Sequence, residues 1–172
     1  VAELAFGLAI SVLRNIPPCD TVCRKEGTKA GLVGGELFGK TFGIVGTGAI
    51  GGKVAKIAQA FGCKVVAYSR TVKPEMEGLG IEYMSLEDVL KVDDVEAIML
   101  MIPPAGRAEA VRKCLQAGKH VLTTKPFESD PDAALKVLRE AREMGMVVHL
   151  NSPAPLPSDD LAQIQERKKK FD

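Results

Sequence analysis

Charge of one sign is what this sequence lacks: 23 Lys and Arg stand against 22 Asp and Glu, a net of +1 at pH 7. A chain so nearly neutral has no strong field to recruit nucleic acid or an anionic membrane, so its expected partner is a small molecule. Cysteine is scarce too. Cys19, Cys23, Cys63 and Cys114 are scattered, only the first two are near neighbours, and too few partners accompany them for a zinc site. Free thiols and no metal are expected. Histidine is limited to His120 and His149, each in or beside a strand with no second ligand cluster, and a lone strand histidine reads as structural. No apolar run approaches the roughly 18 residues a membrane helix needs. The opening VAELAFGLAISVLRN has no charged leader, so a cytoplasmic setting is expected. A start at Val1 rather than Met predicts an excised or engineered piece.

What is present is ordinary globular composition, 46% hydrophobic and 26% charged over 172 residues, which predicts one domain, 1–172, with a core of its own. Leu4, Ala5, Leu8, Ala9 and Val12 form a stripe at helical spacing over 1–14, and Pro17 with Pro18 is expected to close that helix. Residues 16–39 read as a long connection, although TVCRKEG can extend a helical turn. From Lys40 onward, strand and helix signals alternate. A strand over 41–46, a helix over 50–61 and a strand over 64–70 make a βαβ unit. A short strand IEYM and a helix over 85–90 precede VEAIMLMIP (95–103), whose lack of alternation suits a buried parallel strand. A helix over 107–117, a strand over 120–124, a helix over 131–144 and a strand over 146–150 follow. Asp130 and Pro131 are a good cap and first residue for the last of these helices, and Gly145 sits where it stops. The tail from 153 predicts one more helix, with RKKK (167–170) at its solvated end. Six strands alternating with helices predict a doubly wound, mainly parallel α/β sheet in three layers, a Rossmann fold. Its ligands bind beyond the carboxyl ends of the strands.

The stretch GIVGTGAIGG places G-x-G-x-x-G at Gly46, Gly48 and Gly51, directly after an apolar strand and directly before a helix. The first glycine permits the tight turn, the second lets the loop Gly46-Thr47-Gly48-Ala49-Ile50 approach a pyrophosphate, and the third lets helix and strand pack closely. The helix start adds partial positive charge. This pattern points to a dinucleotide. NAD-binding domains usually end the second strand with Asp or Glu, about 20 residues beyond the loop, to accept from the ribose hydroxyls. Here that place reads Tyr68, Ser69, Arg70, followed by Thr71 and Lys73, a set suited to a 2′-phosphate. NADP is therefore favoured over NAD.

Residues 1 to about 90 resemble the coenzyme domain of D-2-hydroxyacid dehydrogenases, on VAELAFGLAISVLRNI, GGELFGKTFGIVGTGAIGGKVAKIAQAFGCKVVAYSR and YMSLEDVL. The resemblance implies NAD(P)-dependent reduction of 2-oxo acids by an Arg, a Glu and a His from the second half of the domain. No N-x-A-R-G-like stretch or later Glu and His is found. Residues from about 93 to 151 instead resemble the nucleotide-binding domain of the glucose-fructose oxidoreductase and inositol dehydrogenase family, on AGKHV-x-x-x-KP. That resemblance implies that Pro103 and Pro104 lie near the nicotinamide ring, and that Lys125, with Pro126, matches an E-K-P motif whose Lys assists proton transfer. Thr124 replaces the Glu, and Arg107 replaces a His commonly found after the paired prolines. That family's substrate domain is absent from the sequence. Two resemblances meeting near 86–95 predict a chimera of halves 1–90 and 91–172, joined in one sheet by the same crossover geometry.

Three functions are compatible with these residues: a cofactor-binding unit with little or no turnover, an oxidoreductase for a hydroxyl or carbonyl substrate with Lys125 as proton shuttle, or a chimera that folds without binding. The stripe of the 1–14 helix predicts either cover for its own sheet or a homodimer.

Overall fold

Both faces of the first strand are buried, and its alternation assigns each side chain to a separate core. Phe42 and Ile44 enter one apolar cluster and Val45 the other. A computed structural model describes residues 1–28, 31–72 and 74–151. It contains helices α1 (Ala2–Leu13) and α2 (Ile16–Glu26), strand β1 (Thr41–Val45), α3 (Ala49–Ala60), β2 (Lys64–Tyr68), α4 (Pro74–Glu77), β3 (Glu82–Tyr83), α5 (Leu86–Lys91), β4 (Ala97–Leu100), α6 (Arg107–Gln116), β5 (His120–Thr124), α7 (Pro131–Glu143) and β6 (Val148–Asn151).

The strands form one six-stranded sheet in the order β3-β2-β1-β4-β5-β6. Every pairing is parallel. The order reverses between β1 and β4, which opens a crevice beyond their carboxyl ends. Helices α1 and α3 cover one face through Phe6, Val54, Ala55 and Ala58. Helices α5, α6 and α7 cover the other through Val89, Leu90, Val111, Leu115 and Val137. The chain therefore has the doubly wound α/β fold its alternation predicts.

Two expectations near the amino terminus need correction. The segment expected to be a connection contains α2. Its prolines do not end α1; they occupy the first turn of α2, where the missing N–H is harmless and the fixed φ suits a helix. Asn15, in the left-handed region at φ 52°, makes the corner between the two helices, and Gly27 at φ 67° ends the second. The stripe on α1 is also rotated from its expected phase. Ala2, Ala5 and Phe6 are buried, with Ala9, Ile10 and Leu13 packed behind them, while Leu4 and Val12 are exposed. Phe6 sets the phase by stacking on Phe42 and Phe61, with ring centroids 5.3 and 5.7 Å away. The strand expected over 95–103 is shorter, Ala97–Leu100. Lys73 and the expected helix of the tail lie outside the described residues.

All four cysteines are free thiols. Among the described residues no helix is long and apolar enough to cross a membrane.

Candidate functional site

The glycine loop crosses the crevice at the point where the strand order reverses. Gly46 donates its N–H to the carbonyl of Tyr68 at 2.7 Å, and Met101 donates to the carbonyl of Val45 at 2.8 Å, so the turn is held between the ends of β2 and β4. The three glycines meet different demands. Gly46 has φ 94°, and a β-carbon there would stand 2.7 Å from the Met101 carbonyl oxygen. At Gly51 a β-carbon would fall 1.9 Å from the carbonyl oxygen of Gly46, so the third glycine is required by the packing of α3 against its own turn. Gly48 has an ordinary backbone, φ −67° and ψ −158°, and a β-carbon there would meet nothing within 4 Å. Among the described residues nothing demands a glycine at 48. The space in front of it is open, with room for a ligand group that a side chain would block.

Among the described residues no N-cap side chain caps α3, as is also the case for α1, α2 and α6, whereas Ser85 caps α5 and Asp130 caps α7. The positive end of the α3 dipole is left to whatever lies above Ala49 and Ile50. The donor set and the space together fit a dinucleotide phosphate.

On the β2 side of the crevice, Thr47 is almost fully buried and tied twice. Its hydroxyl accepts from the Tyr83 hydroxyl at 2.9 Å, and its N–H donates to Ser69 Oγ at 3.4 Å. Ser69 thus sits against the loop, its Oγ accepting from the loop backbone. Arg70 and Thr71 follow it on the surface, and no carboxylate interrupts Tyr68 to Thr71. Tyr83 escapes sequence reasoning because β3 is two residues long and carries no motif.

On the other side of the crevice the two predicted segments face each other across a buried guanidinium. Arg107 heads α6 and is 2% exposed. Its Nη1 donates to the carbonyls of Thr124 and, at 2.5 Å, Pro126, and its Nη2 donates to the carbonyl of Ile102. Burial pulls its pKa below the ordinary arginine range, while the nearby Glu128 carboxylate opposes that shift. Glu128 itself accepts from the Ala108 N–H at 2.8 Å and is held below the usual carboxylate range, chiefly by that bond. One clue to Arg107 was visible: a cation at a helix start opposes the dipole, which calls for a compensating reason. Pro103 is exposed, Pro104 is half-buried and accepts from the Arg107 N–H at 3.1 Å, and Lys125 is exposed rather than desolvated.

Residues 6–120 match the family described as D-isomer specific 2-hydroxyacid dehydrogenase, NAD binding domain. The chain belongs to that family. The match carries through β4 and α6, about thirty residues past the boundary expected from resemblance, and it ends before Lys125. A glyoxylate reductase of Thermococcus litoralis is 33% identical across 95% of this chain and 54% of its own length. A hydroxypyruvate reductase of Thermotoga maritima is 47% identical across 60% of this chain and 33% of its own. The chain thus spans about half the length of relatives that match it nearly end to end. Among solved structures, the pyruvate reductase of Chlamydomonas reinhardtii superposes with a TM-score of 0.69 at 28% identity, over 97% of this chain and 52% of that one. KijD10, a 3-ketoreductase from Actinomadura kijaniata solved with NADP, superposes at 0.58 and 26% identity over 75% of this chain and 42% of that one. This dehydrogenase-type domain carries its dinucleotide loop intact.

Proposed function

We propose that the chain binds a nicotinamide dinucleotide across the crevice between β1 and β4, with the pyrophosphate over Gly48 and the start of α3, and that it favours NADP. The observation that carries the binding is the open cradle at Gly48 above an uncapped helix. The preference for NADP is supported by Ser69, Arg70 and Thr71 standing where an acidic residue would accept from the ribose and repel a 2′-phosphate. Pro103, Pro104 and Lys125 border the nicotinamide half. When bound, the cofactor supplies hydride chemistry; this chain's own residues bind and orient it.

Hydride transfer also needs a substrate held over the ring in a dry, closed site. The described residues form one sheet with its helices and leave the carboxyl ends of the strands open, so by itself the chain acts as a cofactor-binding unit with little or no turnover. A second reading, an oxidoreductase for a hydroxyl or carbonyl substrate with Lys125 shuttling the proton, is favoured by the placement of Lys125 directly after β5. There Arg107 holds the carbonyls on either side of it. The exposed apolar residues Leu4, Val12 and Ile16 support a homodimer through the α1 side.

Calorimetric titration with NADP, NADPH, NAD and NADH in phosphate-free buffer tests this. Micromolar binding of the phosphorylated forms, tightened about tenfold over the others (roughly 1.4 kcal/mol) and equalised by Arg70→Ala, is expected. A folded chain that binds none of the four is a structural chimera only.

A further inference from the structure

Arg107 is the largest fully buried side chain among the described residues, and it is charged. Taking a guanidinium out of water is costly unless its donors are satisfied and its charge is met. Its Nε has no hydrogen-bond partner among the described residues, and the partners of its two Nη atoms are distributed in a particular way. Ile102, whose carbonyl receives Nη2, immediately precedes Pro103 and Pro104, on the wall of the crevice that follows β4. Thr124 and Pro126, whose carbonyls receive Nη1, flank Lys125 on the wall that follows β5. Beyond the strand ends, where no ladder bonds β4 to β5, one planar group spans both walls. The fork geometry lets a guanidinium do this and denies it to lysine, which is a point donor. Glu128 secures the same corner by closing the first turn of α6 at Ala108 while its charge faces the guanidinium.

We propose that Arg107 is a positioning residue: by tying Ile102 to Thr124 and Pro126 it sets where Pro103, Pro104 and Lys125 stand relative to one another, and so fixes the nicotinamide half of the site. The inference rests on the cofactor reading above. It makes a distinction that a merely structural arginine does not. Ser69 and Arg70 lie beyond β1 from Arg107, and the glycine turn, although it packs beside Ile102, is held by its own bond to Tyr68, so loss of the tie disturbs the nicotinamide half of the ligand more than the adenosine half.

The test compares Arg107→Met, which fills similar space without donors, with Arg107→Lys and the unsubstituted chain. Each is titrated with NADPH and with adenosine 2′,5′-bisphosphate, the fragment that lacks nicotinamide, and the fluorescence of bound NADPH is recorded. In Arg107→Met the fragment is expected to bind within twofold of the unsubstituted chain. NADPH loses at least tenfold of its advantage over the fragment, and the fluorescence enhancement of the bound nicotinamide disappears. Arg107→Lys falls between, and it carries the test should Arg107→Met fail to fold. Equal weakening of fragment and dinucleotide, or an unchanged ratio and spectrum beside a lowered melting temperature, overturns the role of Arg107 alone. Absence of binding of either ligand to the unsubstituted chain overturns the cofactor reading and this inference with it.

Discussion

A single methyl group at Gly51 is the sharpest internal probe of the loop. In Gly51→Ala the new carbon would start 1.9 Å from the carbonyl oxygen of Gly46 and 3.0 Å from its carbonyl carbon. Gly51 is not among the glycines with positive φ, so alanine suits the backbone and the contact alone sets the cost. The obstacle is backbone rather than a flexible side chain, so the turn itself must retreat, by about 1 Å. Overpacking of this kind costs about 3 kcal/mol. Alanine's helical preference over glycine returns about 1 kcal/mol, leaving a net loss of about 2 kcal/mol, or a midpoint lowered by roughly 4–8 °C for a chain of this size. Gly48→Ala meets open space and is expected to lose less than about 1 kcal/mol, the difference between the two residues at a helix cap. Urea unfolding followed by far-ultraviolet circular dichroism measures both. If Gly51→Ala matched the unsubstituted chain within about 0.5 kcal/mol while Gly48→Ala did not, the division of labour among the glycines would be refuted.

Further expectations concern charge and thiols. Glu128 has a depressed pKa in the folded protein, so the stability it contributes is complete above the ordinary carboxyl value of 4.5 and is lost as pH falls through the lower folded value. Glu128→Gln is therefore expected to be less stable at pH 7, with the gap narrowing below pH 4.5; a gap that widens in acid contradicts the bond to Ala108. Burial raises the Cys63 thiol and pushes Cys114 up to about 12, whereas Cys23 is exposed. A thiol reagent at pH 8 is expected to label Cys23 first, Cys19 more slowly, and Cys63 and Cys114 only in denaturant; fast native labelling of Cys114 would contradict the packing of α6.

How much of this was legible in the sequence depends on how local the determining interaction is. The βαβ unit and the phosphate turn rest on neighbours in the chain, and they were readable from apolar runs and glycine spacing alone. Helix α2 is legible only in part, in the helical turn that TVCRKEG suggests, because Pro17 and Pro18 after an apolar stripe signal a stop. In the first turn of a helix, after a corner such as Asn15, the same residues are a start. The phase of α1 was misread because that helix is apolar on nearly every side, so the pattern carries no direction and its packing against α3 and Phe42 selects the face. Arg107 was noticed only as a replacement for histidine. The carbonyls that draw it inward come from residues 102, 124 and 126, and no periodicity reports that convergence. Asn151 is similar: fully buried at the end of β6, it donates to the carbonyl of Val1, a contact across 150 positions. The family match runs on to residue 120, past the boundary that resemblance alone places near 86–95.

The most direct measurement is the affinity of Gly48→Val for NADPH and NADH beside the unsubstituted chain, each first shown to be folded by its melting transition. A β-carbon at residue 48 meets no described atom within 4 Å, so the fold is expected to persist while binding falls at least a hundredfold (roughly 2.7 kcal/mol). A folded Gly48→Val that bound either cofactor as tightly as the unsubstituted chain would place the pyrophosphate somewhere other than this loop.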